Sequence, residues 1–332
     1  MKDMGLKDKR KICILFNKPE ERDLPDRKGV MDEVNLVGKT LSNLGYSYFL
    51  LPVGGDYKWI DILKKRDFDL VFNLCEDFEG NPEGEAYIAG ILETLKIPYT
   101  GSPPSAFYLC FDKIKAKIIV SHYGIETPPY FTLDKESPDF LPVILKPRKE
   151  DASLFIEKKN VIFNEREYYE RVKELRGKNI EFFAEKFIDG REFNVSVFDE
   201  RVIAIGEVIF KTEPKVLTYS SKWDVDSEDY IRTSSNYPAI LDDKKRKEIE
   251  EISLKIFKIL EMRDYGRIDF RMDKDGKVYF IEANPNPDIS RNSGFYRALL
   301  YARIPYELFI KHLIERTIER NIPCFALGNK NA

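Results

Sequence analysis

Short apolar runs alternate with helical spacings over the first hundred residues, and this alternation restricts the fold more than any other feature of the 332-residue chain. KICILF (11–16) is β-rich and apolar. Residues 31–44 then place Val34, Val37, Leu41 and Leu44 at helical intervals and stop at Gly45. YSYFLLPV (46–53) and DLVFNL (69–74) read as two further strands, 84–95 as a helix, and IPYTGS (97–102) leaves it. A βαβ alternation of this kind predicts an α/β unit with a doubly wound parallel sheet, closed by Pro103-Pro104.

The pattern then changes to α+β. Residues 105–122 read as a helix, 142–147 as a strand, 164–176 as a helix and 182–188 as a strand. EFNVSVF (192–198) and RVIAIGEVIF (201–210) form a hairpin through Asp199-Glu200. A polar loop, 211–238, precedes an amphipathic helix over 241–260, which carries Ile249, Ile252, Ile256 and Leu260 on one stripe. Asp242 or Asp243 caps its start. RIDFRM (267–272) and KVYFIEAN (277–284) make a last hairpin over a DKDG turn. The expected units are 1–104, 105–190 and 191–325, with a tail at 326–332.

Composition removes several classes of function. A net charge of −3 provides no basic field for nucleic acid. No apolar run approaches the roughly 20 residues that span a bilayer, so no membrane partner is expected. The basic start is followed by an apolar stretch, ICILF, too short for a signal peptide. The four cysteines lie far apart without a CxxC pair, which predicts neither a zinc site nor a disulfide framework and suits a reducing cytoplasm. Two histidines and no G-x-S-x-G elbow argue against a histidine-based triad. The chain lacks glutamine while 33% of it is charged, a bias expected of a thermophilic source.

The last hairpin is the most informative feature for function. A four-residue loop at 273–276 and simple register set Asp269 opposite Phe280, and period-two alternation puts Phe280, Glu282 and Asn284 on one face with Asp269. Two carboxylates and a carboxamide suit Mg²⁺, which takes few protein oxygens and fills its shell with phosphate and water. The plainer reading is a solvent-facing hairpin on which Arg267 and Arg271 pair with these acids. The stiff polar tail NPNPDIS, poor as packing material, favours ligand placement.

Lys146 ends the apolar run PVIL, where a lysine is costly unless it meets an anion such as phosphate; a surface lysine at a strand end is the alternative. Lys113, in FDKIKAK, is by itself an ordinary helix lysine. EKFIDGREF (185–193) spaces Glu185 and Glu192 across a Gly190 turn, and such a turn can offer backbone groups and a carboxylate to an adenine and ribose. Gly38-Lys39-Thr40 is not a phosphate-binding P-loop, because Glu33 stands where that motif needs glycine.

Six segments in order, ILETLKIPYTGS (91–102) with FDK (111–113), ILKP (144–147), EKFIDGREFNV (185–195), YGRIDF (265–270) and FIEANP (280–285), resemble the ATP-grasp superfamily and, within it, the D-alanine–D-alanine ligases. The resemblance spans nearly the whole chain. It implies an N-terminal α/β domain followed by a two-lobed ATP-grasp fold that clamps ATP. Lys113 and Lys146 would contact phosphates; Glu185, Lys186 and Ile188 would line the adenine pocket; Glu192 would bind ribose. Asp269, Glu282 and Asn284 would hold two Mg²⁺ (or Mn²⁺) ions. Arg267 would stabilise charge on the reacting carboxylate, and Lys222 would reach over the γ-phosphate as its loop closes. The implied activity is an ATP-dependent carboxylate–amine ligase that forms a peptide-type bond through an acyl phosphate, acting on small amino-acid or peptide substrates. A cytoplasmic homodimer goes with that family. A non-catalytic ATP-binding module of the same fold is the alternative.

The departures concern the substrate end. Where those ligases carry Gly-Ser-Ser and Val-Gly, this chain has Asp151-Ala152-Ser153 and Leu154-Phe155, so Ser153 is the remaining loop serine. Trp223 stands for the loop tyrosine. Pro285-Asn286-Pro287-Asp288 replaces a run ending in glycine, and a carboxylate at Asp288 should repel a second carboxylate substrate or attract an ammonium. Ser293 matches a serine that binds the second substrate, and Glu33 is the candidate for the first amino group.

Overall fold

The computed structural model describes residues 10–18, 29–133, 137–150, 153–178 and 180–321. Strands β1 (Lys11–Asn17), β2 (Ser47–Val53) and β3 (Leu70–Leu74) form a parallel sheet in the order β2-β1-β3. β1 is buried along its centre, and its side chains alternate between two cores. Ile12, Ile14 and Phe16 enter one; Cys13 and Leu15 enter the other. That two-sided burial is what a doubly wound sheet requires. The helix Val30–Leu44 covers the first face and stops at Gly45, whose φ of 86° lets its N–H reach the Leu41 and Ser42 carbonyls.

Sequence periodicity left three helices unassigned. Lys58–Lys65 anchors on Trp59 and Leu63 and helps cover the second face. Gly294–Tyr301 and Tyr306–Asn321 lie near the C-terminus, yet Phe295, Leu299, Phe309, Ile310, Leu313 and Ile314 share the core of Ile12, Ile14 and Phe72. Each such buried side chain contributes about 1.5–3 kcal/mol, so the C-terminal helix is integral to the first sheet's packing.

Residues 105–122 form two helices rather than one. Pro104–Phe111 ends at Asp112, which has an extended backbone (φ −84°, ψ 97°), and Lys113–His122 begins there. The Asp112 carboxylate accepts the Lys115 N–H at 3.1 Å. It also takes the Arg148 guanidinium at 2.9 and 2.8 Å, so the break is a fastened cap.

Two antiparallel sheets follow. Strands β4 (Tyr130–Thr132), β5 (Val143–Pro147), β6 (Val161–Ile162) and β7 (Phe182–Lys186) order as β4-β7-β5-β6, backed by the helix Glu165–Arg176. Strands β8 (Arg191–Phe198), β9 (Arg201–Phe210), β10 (Thr233–Asn236), β11 (Tyr265–Met272) and β12 (Val278–Asn284) order as β10-β9-β8-β11-β12. Asp199 and Glu200 both have positive φ, the geometry of a two-residue hairpin turn. Residues 211–238 are more ordered than a polar loop: they contain helices Tyr219–Trp223 and Glu228–Ile231 and strand β10. The helix Asp243–Ile259 is capped by Asp242, which accepts the Lys245 N–H at 2.8 Å, and buries Ile249 and Ile256 beneath the five-stranded sheet.

Among the described residues no helix is long and apolar enough to cross a membrane. Cys13, Cys75 and Cys110 are buried; Cys324 and the 326–332 tail lie outside the described residues.

Candidate active site

The hairpin of β11 and β12 organises the site, with a register that differs from the expected one. Met272 pairs with Val278 and Phe270 with Phe280; a bulge then skips Ile281, so Asp269 faces Glu282 and Arg267 faces Asn284. The turn thus holds five residues, one more than expected, and the bulge adds the second shift. Phe280 is not on the acidic face: it is fully buried in the core with Ile268, Phe270 and Val278. A bulge reverses the alternation beyond it, which turns Glu282 and Asn284 to the side shared by Arg267 and Asp269. The expected convergence of Asp269, Glu282 and Asn284 is therefore present, reached by a different register.

These acids face cations. Asp269 accepts the Arg267 guanidinium at 2.9 and 3.0 Å and the Asn194 amide at 2.9 Å. The buried Lys113 ammonium lies 3.1 Å from Glu282 and donates to the Glu150 carbonyl at 2.6 Å. Burial alone would raise the Glu282 carboxyl, but Lys113, Lys222, Lys146 and Arg267 outweigh it and hold it well below the usual carboxylate range. Lys222 is lowered by burial and by Arg267, with Glu282, Asp269 and Glu192 opposing. Among the described residues no three His, Cys, Asp or Glu side chains cluster around a metal position. Two carboxylates and one carboxamide are a sparser oxygen set, suited to an ion that draws the rest of its shell from phosphate and water.

A cleft with about 650 Å³ of empty space, open to solvent, lies beside the hairpin. Lys146, Ser153, Glu185, Lys186, Ile188, Glu192, Lys222, Asp269 and Glu282 all line it. Ile144, Ile156 and Val216 add an apolar wall. Glu185 is 1% exposed and sits between two ammonium groups, Lys117 at 2.6 Å and Lys146 at 2.6 Å. Its burial is offset by these charges, which lower its carboxyl below the ordinary range. Glu192 pairs with Arg271 at 2.6 Å, and Arg271 also donates to the Ile188 carbonyl at 3.2 Å. Lys186, at the end of β7, is exposed, and its backbone N–H donates to the Pro129 carbonyl at 2.8 Å. Asp151 and Ala152 lie outside the described residues.

Glu33 and Asp288 form a pair separate from the residues that line the cleft. The Ile289 N–H donates to Glu33 at 2.5 Å and the Ser290 N–H to Asp288 at 2.7 Å. Burial, followed by the charges of Asp288 and Glu76, pushes Glu33 well above the usual range, and it shares a hydrogen bond with Asp288. Burial beside Asp288 thus favours the protonated form of Glu33. Ser293 caps the helix Gly294–Tyr301 by accepting the Tyr296 N–H at 3.0 Å.

Sequence reasoning passed over Lys117, Arg271 and Asn194 as site residues. Lys117 stands four positions after Lys113, on the same helix face, and Asn194 stands two after Glu192, on the same strand face. Those spacings were the available signal.

A family model described as "D-ala D-ala ligase C-terminus" matches residues 120–315, more than half of the chain. The chain belongs to this family. Among its relatives, a D-alanine--D-alanine ligase of Aquifex aeolicus is 29% identical over 86% of this chain and 92% of its own. D-alanine--D-alanine ligase B of Chromobacterium violaceum is 31% identical over 75% of this chain and 80% of its own. The crystal structure of the D-alanine--D-alanine ligase from Bacillus anthracis complexed with ATP superposes with a TM-score of 0.75, covering 95% of this chain and 98% of that one at 22% identity. The fold is therefore that of the ATP-grasp ligases, as the sequence motifs implied, and the chain is an ATP-dependent carboxylate–amine ligase.

Proposed function

We propose that the cleft binds Mg²⁺-ATP between the units 105–190 and 191–325 and joins two amino-acid-type substrates through an acyl phosphate. The observation that carries this reading is Glu282, a carboxylate facing Asp269 across the hairpin and surrounded by the charges of Lys113, Lys222, Lys146 and Arg267. Cations and hard oxygens alternate there, as a polyphosphate with divalent ions requires. Asp269, Glu282 and Asn284 would hold the ions, whose chemistry is to neutralise charge on the phosphate oxygens.

Residues of the chain supply the rest. Lys113, Lys146 and Lys222 would contact phosphates; Glu185, the Lys186 backbone and Ile188 would receive adenine against the apolar wall, with Glu192 at the ribose. A substrate carboxylate oxygen attacks the γ-phosphorus, the bond to ADP breaks, and an amine then attacks the acyl carbon and expels phosphate. Arg267 and Ser153 lie where negative charge builds on oxygen, and preorganised donors lower that barrier. No histidine base is needed. The substrates would meet at Glu33, Asp288 and Ser293, where two adjoining acids favour an amine over a second carboxylate. D-Alanine is the first compound to try, because the relatives bear that name. The same resemblance extends to a cytoplasmic homodimer.

The reading is tested with a carboxylate donor labelled with ¹⁸O. One label should appear in the released phosphate; unlabelled phosphate would rule out attack by the carboxylate. A non-catalytic module is disfavoured by the full set of cleft charges.

A further inference from the structure

Lys117 is 1% exposed and points from the helix Lys113–His122 into the seam between β7 and β12. Its ammonium lies 2.6 Å from Glu185 Oε1, 2.8 Å from the Ile281 carbonyl and 3.4 Å from the Phe280 carbonyl. Residues 280 and 281 are where the bulge interrupts the β11–β12 ladder. A bulge leaves backbone groups without ladder partners, and a buried carbonyl needs a donor. Lys117 supplies one to the bulge that aims Glu282 while holding Glu185 with the same nitrogen.

Glu185 has a second partner, Lys146, on its other oxygen at 2.6 Å. The two lysines differ in what else they hold. Lys117 is enclosed and tied to two carbonyls; Lys146 is 12% exposed and lines the open cleft. A nucleotide phosphate entering the cleft competes with Glu185 for Lys146. Were Lys146 the sole counter-ion, releasing it would strand a carboxylate that is 1% exposed, at a large cost.

We propose that Lys117 is a positioning residue: it remains on Glu185 as its standing counter-ion, which frees Lys146 to engage a nucleotide phosphate, and it fixes the bulge that presents Glu282. This rests on the nucleotide reading above. Lys117 itself touches neither substrate nor phosphate.

The test is titration calorimetry of the full chain with ATP and with Mg²⁺-ATP, using wild type, Lys117→Met, Glu185→Gln and the double variant, with a melting curve for each. Wild type without ATP binding would overturn the nucleotide reading, whatever the variants do. Given wild-type binding, K117M should weaken ATP by about tenfold or more, because Lys146 is then retained by Glu185. E185Q keeps an acceptor oxygen but removes the charge, so K117M/E185Q should bind within about threefold of E185Q alone. A lysine that merely stabilised the fold would leave the two losses multiplied in the double variant. Wild-type affinity in K117M, multiplied losses, or a double variant that fails to fold or bind would each overturn the proposal. If K117M alone does not fold, the double variant against E185Q decides.

Discussion

The two ends of the site use acids in opposite ways. Around the cleft, four carboxylates each have a cation against them: Asp269 has Arg267, Glu282 has Lys113, Glu185 has Lys117 and Lys146, and Glu192 has Arg271. At the other end, Glu33 and Asp288 share a hydrogen bond and rest on backbone N–H groups. The first arrangement surrounds the acids with positive charge, which holds Glu282 and Glu185 below the usual carboxylate range and suits phosphates and metal. The second favours protonation of Glu33, set between Asp288 and the Ile289 N–H. On the proposed reading the nucleotide end is generic chemistry, and the acidic end would set the substrate.

The largest expected effect breaks the charged end. Glu282→Gln removes a charge on which four cations converge and should lower kcat by about 100-fold or more, measured by ADP release at saturating ATP. An unchanged kcat would show that the acidic face is only a polar surface. Lys146→Met should weaken ATP binding by about 30-fold, with a smaller loss at high salt, because the partner is an anion.

At the acidic end, Asp288→Gly removes the carboxylate and should raise D-alanine-dependent phosphate release by about tenfold; no change would detach Asp288 from substrate choice. The smallest effect is on stability. Glu33 has a folded-state pKa above its unfolded value, so its contribution is full below about pH 4.3 and is lost as pH rises toward the folded value. Glu33→Gln imitates the protonated acid and should be more stable than wild type by about 1 kcal/mol or more at pH 8, with the gap closing at pH 5. Urea midpoints at both values measure it, and a gap that widened on acidification would reverse the assignment.

Much of this contrast was legible in the sequence. Val34, Val37 and Leu41 announced their helix, and Lys146 and Glu185 stood in segments whose chemistry suited a nucleotide. The bulge was not legible, because nothing in KVYFIEAN marks Ile281 as the residue that drops out of register. Its placement depends on packing Phe280 inward against Phe270 and on Lys117 beneath the freed carbonyls. Helix Tyr306–Asn321 escaped notice for a related reason: its apolar face is completed by β1 and β3, near the other end of the chain. The partners that set Lys117 apart, Glu185 and Ile281, lie in distant segments. Contacts distant in sequence decided each of these points.

The central claim is that the charged end drives ligation at the acidic end, and a coupled ADP-release screen over D- and L-amino acids and dipeptides tests it most directly. The account predicts that ADP forms from Mg²⁺-ATP only when a suitable carboxylate and amine are both present, and that a chelator stops it. ATP bound without turnover across the whole panel would contradict it.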